Sequence, residues 1–273
     1  MFTYLNPTVR KRLADEHKLI RINTNGREMP ISGSAIDGEL SINILGPIPL
    51  PLQLGRDEIT TQWYATVRST ELAKVEELAR DLTKQNGQRF FSMLASSMAV
   101  NSVLVLGDLK KSENPLVRVH SSCLTGDVFG SQRCECGPQF VSALDRIDQD
   151  SDGGLVIYMS GHEGRGIGLW AKAATYLLQD AGENTYEANR SLGLPDDSRD
   201  FSDAAALLHY FVGKRPFRLL TNNPKKVEDL AKQGLTEVTP IKHIIGVNPW
   251  NRRYLAAKRD WGHEISEHDL ARS

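Results

Sequence analysis

The sequence predicts an α/β fold, in which helices pack in layers against a sheet. Short apolar runs of strand length occur at residues 103–106, 117–120, 155–159, 217–220 and 238–241. Apolar residues recur at helical spacing beside these runs, at residues 140–147, 167–179, 204–211 and 227–232. An alternation of strands with helices is typical of this fold class.

A proline-rich segment divides the part of the chain that precedes this alternation. Residues 1–45 carry little periodic pattern. Pro47, Pro49 and Pro51 then stand at alternate positions, which suits an extended edge strand and excludes a helix. We therefore predict an N-terminal extension over residues 1–45 and one further domain over residues 46–273. Within that domain a helix is predicted over residues 72–82, with Gly87 beyond its end.

The later elements carry individual signals. Residues 155–159 are an unbroken apolar run, as expected of a strand that is buried on both faces. Gly182 follows the helix predicted at residues 167–179, and Gly234 stands at the C′ position after residues 227–232. Both helices are therefore predicted to end at a glycine.

Composition limits the partners and the location that we expect. The 273 residues are 40% hydrophobic and 25% charged, with a formal net charge of −1. One large domain or two could form a sizeable core at this length. Because the net charge supplies no field that attracts a polyanion, we expect no nucleic acid and no membrane as partner. Arg10, Lys11 and Arg12 interrupt the region where a secretory signal would be apolar, so we expect a cytoplasmic protein.

The three cysteines, Cys123, Cys134 and Cys136, fall within fourteen residues. Thiolates are soft ligands that suit zinc, and a catalytic zinc site typically has three protein ligands and an open fourth position. A structural zinc site would need a fourth ligand, which His120 or His162 could supply. The remaining alternative is three reduced thiols packed as small hydrophobic side chains. The polar loop between the first two cysteines favours a metal site.

A glycine-rich loop follows the strand predicted at residues 155–159. Ligand sites in α/β folds lie at the carboxyl ends of strands, and residues 160–168 place four glycines around Arg165 at such a position. Glycines allow backbone amides to approach a phosphate, and arginine adds a fork of donors. The alternative is a tight turn without a ligand.

Two further loops are candidates for ligand binding. After the strand at residues 217–220, Asn222 or Asn223 can cap a helix, and Lys225 and Lys226 stand at its positive end. Lysines there are unfavourable unless an anion is bound, although a solvated pair is the simpler alternative. The other loop is a charged turn over residues 195–201, whose Asp197 and Arg199 would by themselves be read as surface charges.

Together these motifs resemble the GTP cyclohydrolase II family, whose members open the imidazole ring of GTP at the start of riboflavin synthesis. The resemblance covers about residues 48–262, and order and spacing agree throughout. The shared motifs are Arg-Val-His-Ser at 118–121, Cys-Leu-Thr-Gly-Asp at 123–127, Cys-Glu-Cys-Gly-Pro-Gln at 134–139, His-Glu-Gly-Arg-Gly-Ile-Gly-Leu at 162–169, Glu-Ala-Asn at 187–189, Arg-Asp-Phe at 199–201 and Leu-Leu-Thr-Asn-Asn-Pro-Lys-Lys-Val at 219–227.

The resemblance implies a mixed sheet flanked by helices and makes residues 46–273 a catalytic domain of this type. It implies that one zinc ion per subunit is held by Cys123, Cys134 and Cys136. In that family a water activated by the zinc attacks C8 of guanine, and formate is then released. Pyrophosphate is also released, and the product is 2,5-diamino-6-(5-phosphoribosylamino)pyrimidin-4-one.

The resemblance also implies three catalytic residues. Tyr176 matches a tyrosine that orients reacting groups near the metal. Asp197 matches a proton acceptor, and Arg199 matches an arginine assigned as a nucleophile toward the α-phosphate. A guanidinium normally stays protonated, so the simpler role for Arg199 is to neutralise charge on the phosphoryl group.

The family's nucleotide contacts can be carried over position by position, together with Mg²⁺ on the phosphates and a homodimer. The matching residues are Arg118, Val119, His120, Ser121, Ser122, Gln139, Glu163, Gly164, Arg165, Thr185, Thr221 and Lys226.

Two departures from the family pattern leave the substrate open. Ser122 stands where the family usually has glutamate, and Ser160 stands where it usually has arginine. One alternative is therefore a paralogue that uses the same chemistry on another purine or pyrimidine nucleotide, for example in pyrimidine breakdown. The other is a zinc-stabilised binding or regulatory protein without turnover, which would use Trp250, Arg252, Arg253 and Tyr254 to stack on a nucleic acid.

Overall fold

The computed structural model describes residues 5–31, 40–55, 57–74 and 99–271. Its strands are β1 (Leu19–Asn23), β2 (Glu28–Met29), β3 (Ser41–Leu54), β4 (Asp57–Arg68), β5 (Asn101–Leu106), β6 (Leu116–Ser121), β7 (Gly154–Met159), β8 (Phe217–Leu220) and β9 (Val238–Ile241). Its numbered helices are α1 (Pro7–Asp15), α2 (Cys136–Asp148), α3 (Leu169–Asp180), α4 (Thr185–Ser191), α5 (Ser202–Phe211), α6 (Pro224–Lys232), α7 (Arg252–Asp260) and α8 (Glu267–Ala271).

One mixed sheet of nine strands organises the described chain, in the order β2-β1-β3-β4-β5-β7-β6-β8-β9. The first strands form an antiparallel meander that joins the second half where β5 pairs antiparallel with β7. From β7 onward the pairs β7–β6, β6–β8 and β8–β9 are all parallel. The predicted mixed sheet is therefore confirmed.

Helices cover both faces of this sheet because its central strands are apolar on both sides. Along β5, Val103 and Val105 pack with Leu207 of α5, whereas Leu104 and Leu106 pack with α2 on the other face. This division follows the period of two by which side chains alternate across a strand. The unbroken apolar run at residues 155–159 is buried, as predicted, with Leu155, Val156 and Ile157 all at 0% exposure.

The strands and helices predicted after residue 100 are present, with shifted ends. The helix predicted over residues 167–179 begins at Leu169, because Gly166 and Gly168 have φ angles of +87° and +85°, which no right-handed helix contains. Residues 69–74 have helical backbone, but most of the helix predicted over residues 72–82, and Gly87, lie outside the described residues. In the described ranges, no helix has the length and apolarity that a membrane crossing needs.

The predicted boundary at residue 45 falls inside β3, which continues to Leu54. Up to Leu45, β3 pairs with both β1 and β4. From Ile48 to Leu54, β3 pairs with β4 alone among the described residues. The three prolines therefore lie where β3 has a free edge, as expected. Ile20 and Ile22 of β1 belong to the same core as Val103. Whether residues 1–45 form a separate folding unit stays a prediction.

Replacing Ile22 by alanine tests this division. The side chain is 0% exposed, and we expect its truncation to lower the free energy of unfolding by about 2–5 kcal/mol. We further expect a single unfolding transition by circular dichroism and tryptophan fluorescence, because β1 shares its core with the later strands. The exposed Val9→Ala should change the unfolding free energy by less than about 0.5 kcal/mol. Two separate transitions, with only the first shifted, would instead support an independent extension.

Candidate functional site

The three cysteine thiols come together just beyond the end of β6. Their Sγ atoms all lie within 4.8 Å of one another, and those of Cys123 and Cys134 are 3.7 Å apart. A π-helical turn at Leu124–Val128 separates Cys123 from the polar loop, and Cys136 begins α2. A Cβ atom at Gly126 would lie 3.0 Å from the Cys134 sulfur and 3.1 Å from the Cys123 sulfur. The glycine therefore leaves room for the thiols to converge.

This thiol cluster fits a zinc ion with three protein ligands. Within the described part of the chain, the cluster that could hold a metal consists of these cysteines alone. The histidines considered as fourth ligands are engaged elsewhere: His120 Nε2 lies 3.1 Å from Asp127, and His162 Nδ1 lies 3.2 Å from Ser121 Oγ. Three soft donors with an open fourth position are the arrangement of catalytic rather than structural zinc.

The thiols share protons unequally. Hydrogen bonds from Cys134 and Cys136, assisted by the Lys172 ammonium, lower the pKa of Cys123. The hydrogen bond to Cys123 in turn raises the pKa of Cys134 to about 12 and that of Cys136 well above its usual value. Binding a metal would therefore release protons from Cys134 and Cys136, since thiolates are the ligating form.

Lys172 was not found from the sequence. Its ammonium lies 3.1 Å from the Cys123 sulfur and 2.6 Å from Glu163, whose other oxygen accepts the Leu124 amide at 2.7 Å. Lys172 sits one helical turn before Tyr176 on the inner face of α3, and helical spacing from that tyrosine is the signal that could have found it. It supplies positive charge beside the thiolate.

Tyr176 is connected to the cysteines through a threonine. Its hydroxyl lies 3.1 Å from Thr125 Oγ1, which lies 3.6 Å from the Cys123 sulfur. Arg133 covers the tyrosine ring at 4.4 Å from its centroid. Burial raises the pKa of Tyr176, so the hydroxyl keeps its proton and can donate it in a hydrogen bond.

Asp197 and Arg199 form a buried bidentate ion pair. Arg199 donates to the two Asp197 oxygens at 2.9 Å and 2.6 Å, and its remaining nitrogen lies 3.3 Å from Ser121 Oγ. Burial raises the pKa of Asp197, but the hydrogen bonds and charge of Arg199 outweigh it and the net pKa is lowered. Burial lowers the pKa of Arg199, and Asp197 more than compensates, so the net pKa is raised. Both groups are therefore charged at neutral pH.

Two adjoining pockets hold the predicted site residues. The first, here the cysteine pocket, has a volume of about 640 Å³ including its open mouth. It brings together the thiols, Tyr176, Arg199 and the predicted nucleotide contacts Ser121, Ser122, Glu163, Gly164, Arg165 and Thr185. The second, here the basic pocket, is lined by the predicted contacts Arg118, His120, Ser121, Gln139, Thr221 and Lys226. Val119 and Asp197 line neither pocket. The Val119 side chain is in the core at 0% exposure, and Asp197 is connected to the pockets through its ion pair with Arg199.

The basic pocket concentrates buried cations. Arg118 donates to the Leu220 carbonyl and to Gln139, both at 2.8 Å, and burial lowers its pKa to about 10. Lys226 donates to the Val119 carbonyl at 2.8 Å, and burial followed by repulsion from Arg118 lowers its pKa well below the usual value. An anion bound between them would relieve this repulsion. Lys225, by contrast, is exposed, so the predicted lysine pair is split.

The C-terminal part of the chain completes both pockets with residues that the sequence analysis did not place in a nucleotide site. Tyr254 of α7 lines both pockets, and Lys258 and His263 line the basic one. Lys258 also forms a 2.5 Å ion pair with Glu135, which stands between two of the cysteines. The sequence analysis considered Tyr254 only as a stacking residue of the nucleic-acid-binding alternative.

The two departures from the family pattern lie next to each other. The Ser122 hydroxyl donates to the Ser160 carbonyl at 2.9 Å. The Ser160 amide in turn donates to the Asn101 side chain at 3.0 Å. The Ser122 side chain thus has its proton committed to the protein, and only its oxygen lone pairs remain for a ligand.

Comparison with known proteins agrees with this geometry. The chain is 52% identical to a riboflavin biosynthesis protein RibBA of Nocardia farcinica over 163 residues, which are 59% of this chain and 39% of that protein. It is 49% identical to the RibBA of Salinispora arenicola over 171 residues, 63% of this chain and 40% of that protein. The chain thus spans about two fifths of the length of these relatives. The family model described as GTP cyclohydrolase II matches residues 82–241, more than half of the chain, which therefore belongs to the GTP cyclohydrolase II family.

Proposed function

We propose that this chain is a zinc-dependent GTP cyclohydrolase II, which opens the imidazole ring of GTP and releases formate and pyrophosphate. The observation that carries the proposal is the three-thiol cluster, which opens into a pocket lined also by Tyr176 and by Arg199, the partner of Asp197. One zinc per subunit, held by the thiols, would supply a Lewis acid that lowers the pKa of water.

Three water molecules balance this reaction. The first adds at C8 as the C8–N9 bond breaks, which leaves a formamide on N7. The second hydrolyses that formamide and releases formate. The third cleaves the bond between the α-phosphorus and the bridging oxygen, which releases pyrophosphate and leaves 2,5-diamino-6-(5-phosphoribosylamino)pyrimidin-4-one.

We assign charge neutralisation at the α-phosphate to Arg199. Arg199 donates two hydrogen bonds to Asp197, and its pKa is raised, so its guanidinium keeps its protons. A protonated guanidinium can stabilise the charge that develops on the phosphoryl group. Asp197 would hold this guanidinium in place, and its lowered pKa makes it a weak base. A nucleophilic Arg199 would require the guanidinium to lose a proton inside this ion pair, which its surroundings oppose.

Tyr176 would act at the ring-opening end of the site. Its hydroxyl keeps its proton, and its bond to Thr125 aims it at the cysteine cluster. A protonated hydroxyl there can donate a hydrogen bond to the nitrogen that leaves C8. Lys172 would hold the Cys123 thiolate and Glu163 in fixed positions beside it.

The nucleotide phosphates, with Mg²⁺, would extend toward the cations of the basic pocket. Arg118 and Lys226 are both buried there, and their mutual repulsion contributes to the lowered pKa of Lys226. Gln139 and Thr221 line the same pocket and add neutral hydrogen-bonding groups. Ser122, Glu163, Arg165 and Thr185 would contact the remainder of the nucleotide in the cysteine pocket.

A cytoplasmic homodimer is the form in which we expect the protein to act. Reduced thiols, as the cluster requires, are stable in a reducing compartment. On the outer face of α3, Trp170 is 92% exposed and Leu177 is 73% exposed, with Ala173 between them. An apolar stripe of this kind is typically covered in an oligomer. The opposite, inner face of α3 carries Lys172 and Tyr176.

A paralogue that acts on another nucleotide is the second candidate, and Ser122 favours it. Zinc-loaded protein should be incubated with guanine, adenine, xanthine and uracil nucleoside triphosphates, with formate, pyrophosphate and ring-opened product measured. We expect formate and pyrophosphate from GTP alone, and Ser122→Glu should leave kcat/KM for GTP unchanged or higher. If the pocket is instead tuned to another base, Ser122→Glu should cost about 1–3 kcal/mol in kcat/KM for that nucleotide. Turnover of another base, without turnover of GTP, would establish the second candidate.

Cys134→Ser should remove the metal and the activity together, because two thiolates and a hydroxyl are a poor zinc site. Zinc content after dialysis, measured by mass spectrometry, should fall from about one per chain to near zero, with formate release lost. The variant Gln132→Ala, at an exposed position of the same loop, is the matched control and should keep both. Full zinc content in Cys134→Ser, with far-UV circular dichroism unchanged, would contradict the assignment.

Arg199 and Tyr176 variants should separate the two chemistries. We expect Arg199→Ala to suppress pyrophosphate release and Tyr176→Phe to suppress formate release, each by roughly 10² to 10⁴. Because Arg199→Ala leaves Asp197 buried without its partner, Arg199→Lys is measured beside it with thermal unfolding. If pyrophosphate release requires only a positive charge at position 199, the Arg199→Lys variant should recover part of the rate. Near-normal rates in all three variants would return these residues to a structural role.

A further inference from the structure

The cysteine pocket and the basic pocket meet at a short junction. Four residues line both pockets: Ser121, Cys136, Arg199 and Tyr254. A ligand that reaches from the thiols to the buried cations must pass these side chains. Three of them already have protein partners, because Cys136 belongs to the thiol cluster and Ser121 lies 3.3 Å from Arg199.

Tyr254 differs from the other three because its hydroxyl has no hydrogen-bond partner in the described part of the chain. No described residue forms a hydrogen bond with this hydroxyl. Its oxygen is nevertheless not one of the polar atoms of the described residues that are inaccessible to solvent and lack a partner. It therefore reaches pocket space. Burial raises the pKa of Tyr254 well above its usual value, so the phenol is protonated at neutral pH and can donate.

The surroundings of Tyr254 hold its ring in place. Arg165 lies 5.8 Å and Lys258 lies 5.5 Å from the ring centroid. The ion pair of Lys258 with Glu135 ties α7 to the cysteine loop, and Leu255 of the same helix is 1% exposed. A donor fixed in this way loses little freedom when a ligand binds.

We propose that Tyr254 is a substrate-contacting residue, whose hydroxyl donates a hydrogen bond to an α-phosphate oxygen of the nucleotide. The inference rests on the proposed function, which puts Arg199 at the α-phosphate, and Arg199 lines the same junction. Arg199 and Arg165 line the cysteine pocket together with Tyr254, so a neutral hydroxyl adds a directional donor to a site otherwise dominated by charge. Tyr254 lies beyond residues 82–241, the range that the family model matches.

The test compares the zinc-loaded wild-type chain with its Tyr254→Phe variant and with the control variant Tyr64→Phe. Tyr64 belongs to β4 and lines neither pocket. Formate release gives kcat/KM for GTP, and titration calorimetry gives Kd for GMP and for guanosine. We expect Tyr254→Phe to lose about tenfold in kcat/KM for GTP and in GMP affinity, because one hydrogen bond to a charged group is removed. Guanosine affinity, zinc content and the unfolding temperature should stay unchanged, since the hydroxyl has no protein partner to lose.

Each other outcome has a definite meaning. Wild-type kinetics and GMP affinity in Tyr254→Phe, with GTP turned over, would overturn the inference and leave the proposed function standing. An equal loss for GMP and guanosine would overturn it by moving the contact to the base or ribose. A lowered unfolding temperature or zinc content would overturn it in favour of a structural role. If wild type releases no formate but GMP alone binds more weakly to Tyr254→Phe, the contact is supported and the proposed function fails. If the wild type neither turns over GTP nor binds GMP, the inference about Tyr254 and the proposed function are both contradicted.

Discussion

Parallel pairing of three central strands is the constraint on which the site depends. β7 pairs with β6 and β6 pairs with β8, all in one direction, so the segments after Met159, Ser121 and Leu220 emerge at the same edge of the sheet. The segment after β6 carries the thiols, the one after β7 carries Glu163 and Arg165, and the one after β8 leads to Lys226. Residues distant in the sequence thereby line two adjoining pockets.

Ion pairs then hold the charged groups of these pockets in place. Lys172 pairs with Glu163 at 2.6 Å, Arg199 with Asp197 at 2.6 Å, and Lys258 with Glu135 at 2.5 Å. Removing such charges from water is costly, so these pairs are weak evidence of stability. Their effect is positional, because two of them join separate elements and the third orients Arg199 within its loop. The site is therefore largely organised before a nucleotide binds.

The antiparallel half of the sheet supports the site through Arg68 and Asn101. Arg68, the last residue of β4, donates to Asp203 at 2.7 Å and to Asp200 at 2.8 Å. Asp200 follows Arg199 in the chain, and its carbonyl lies 3.0 Å from a ring nitrogen of His162. Asn101 of β5 extends this network to Asp203. The loop that carries the Asp197–Arg199 pair is thus supported from the antiparallel half of the sheet.

The sequence by itself determined the α/β alternation after residue 100 and the cysteine cluster, because strand periodicity and metal-ligand identity are local properties of the chain. It did not reveal β1, β2 or β4, because β2 has only two residues and polar side chains interrupt the apolar residues of β1 and β4. Nor did it place Lys172 or Tyr254 in the nucleotide site. What these residues do depends on which face α3 and α7 turn toward the pockets. Only the tertiary structure decided that, since packing between segments far apart in sequence sets the orientation of each helix.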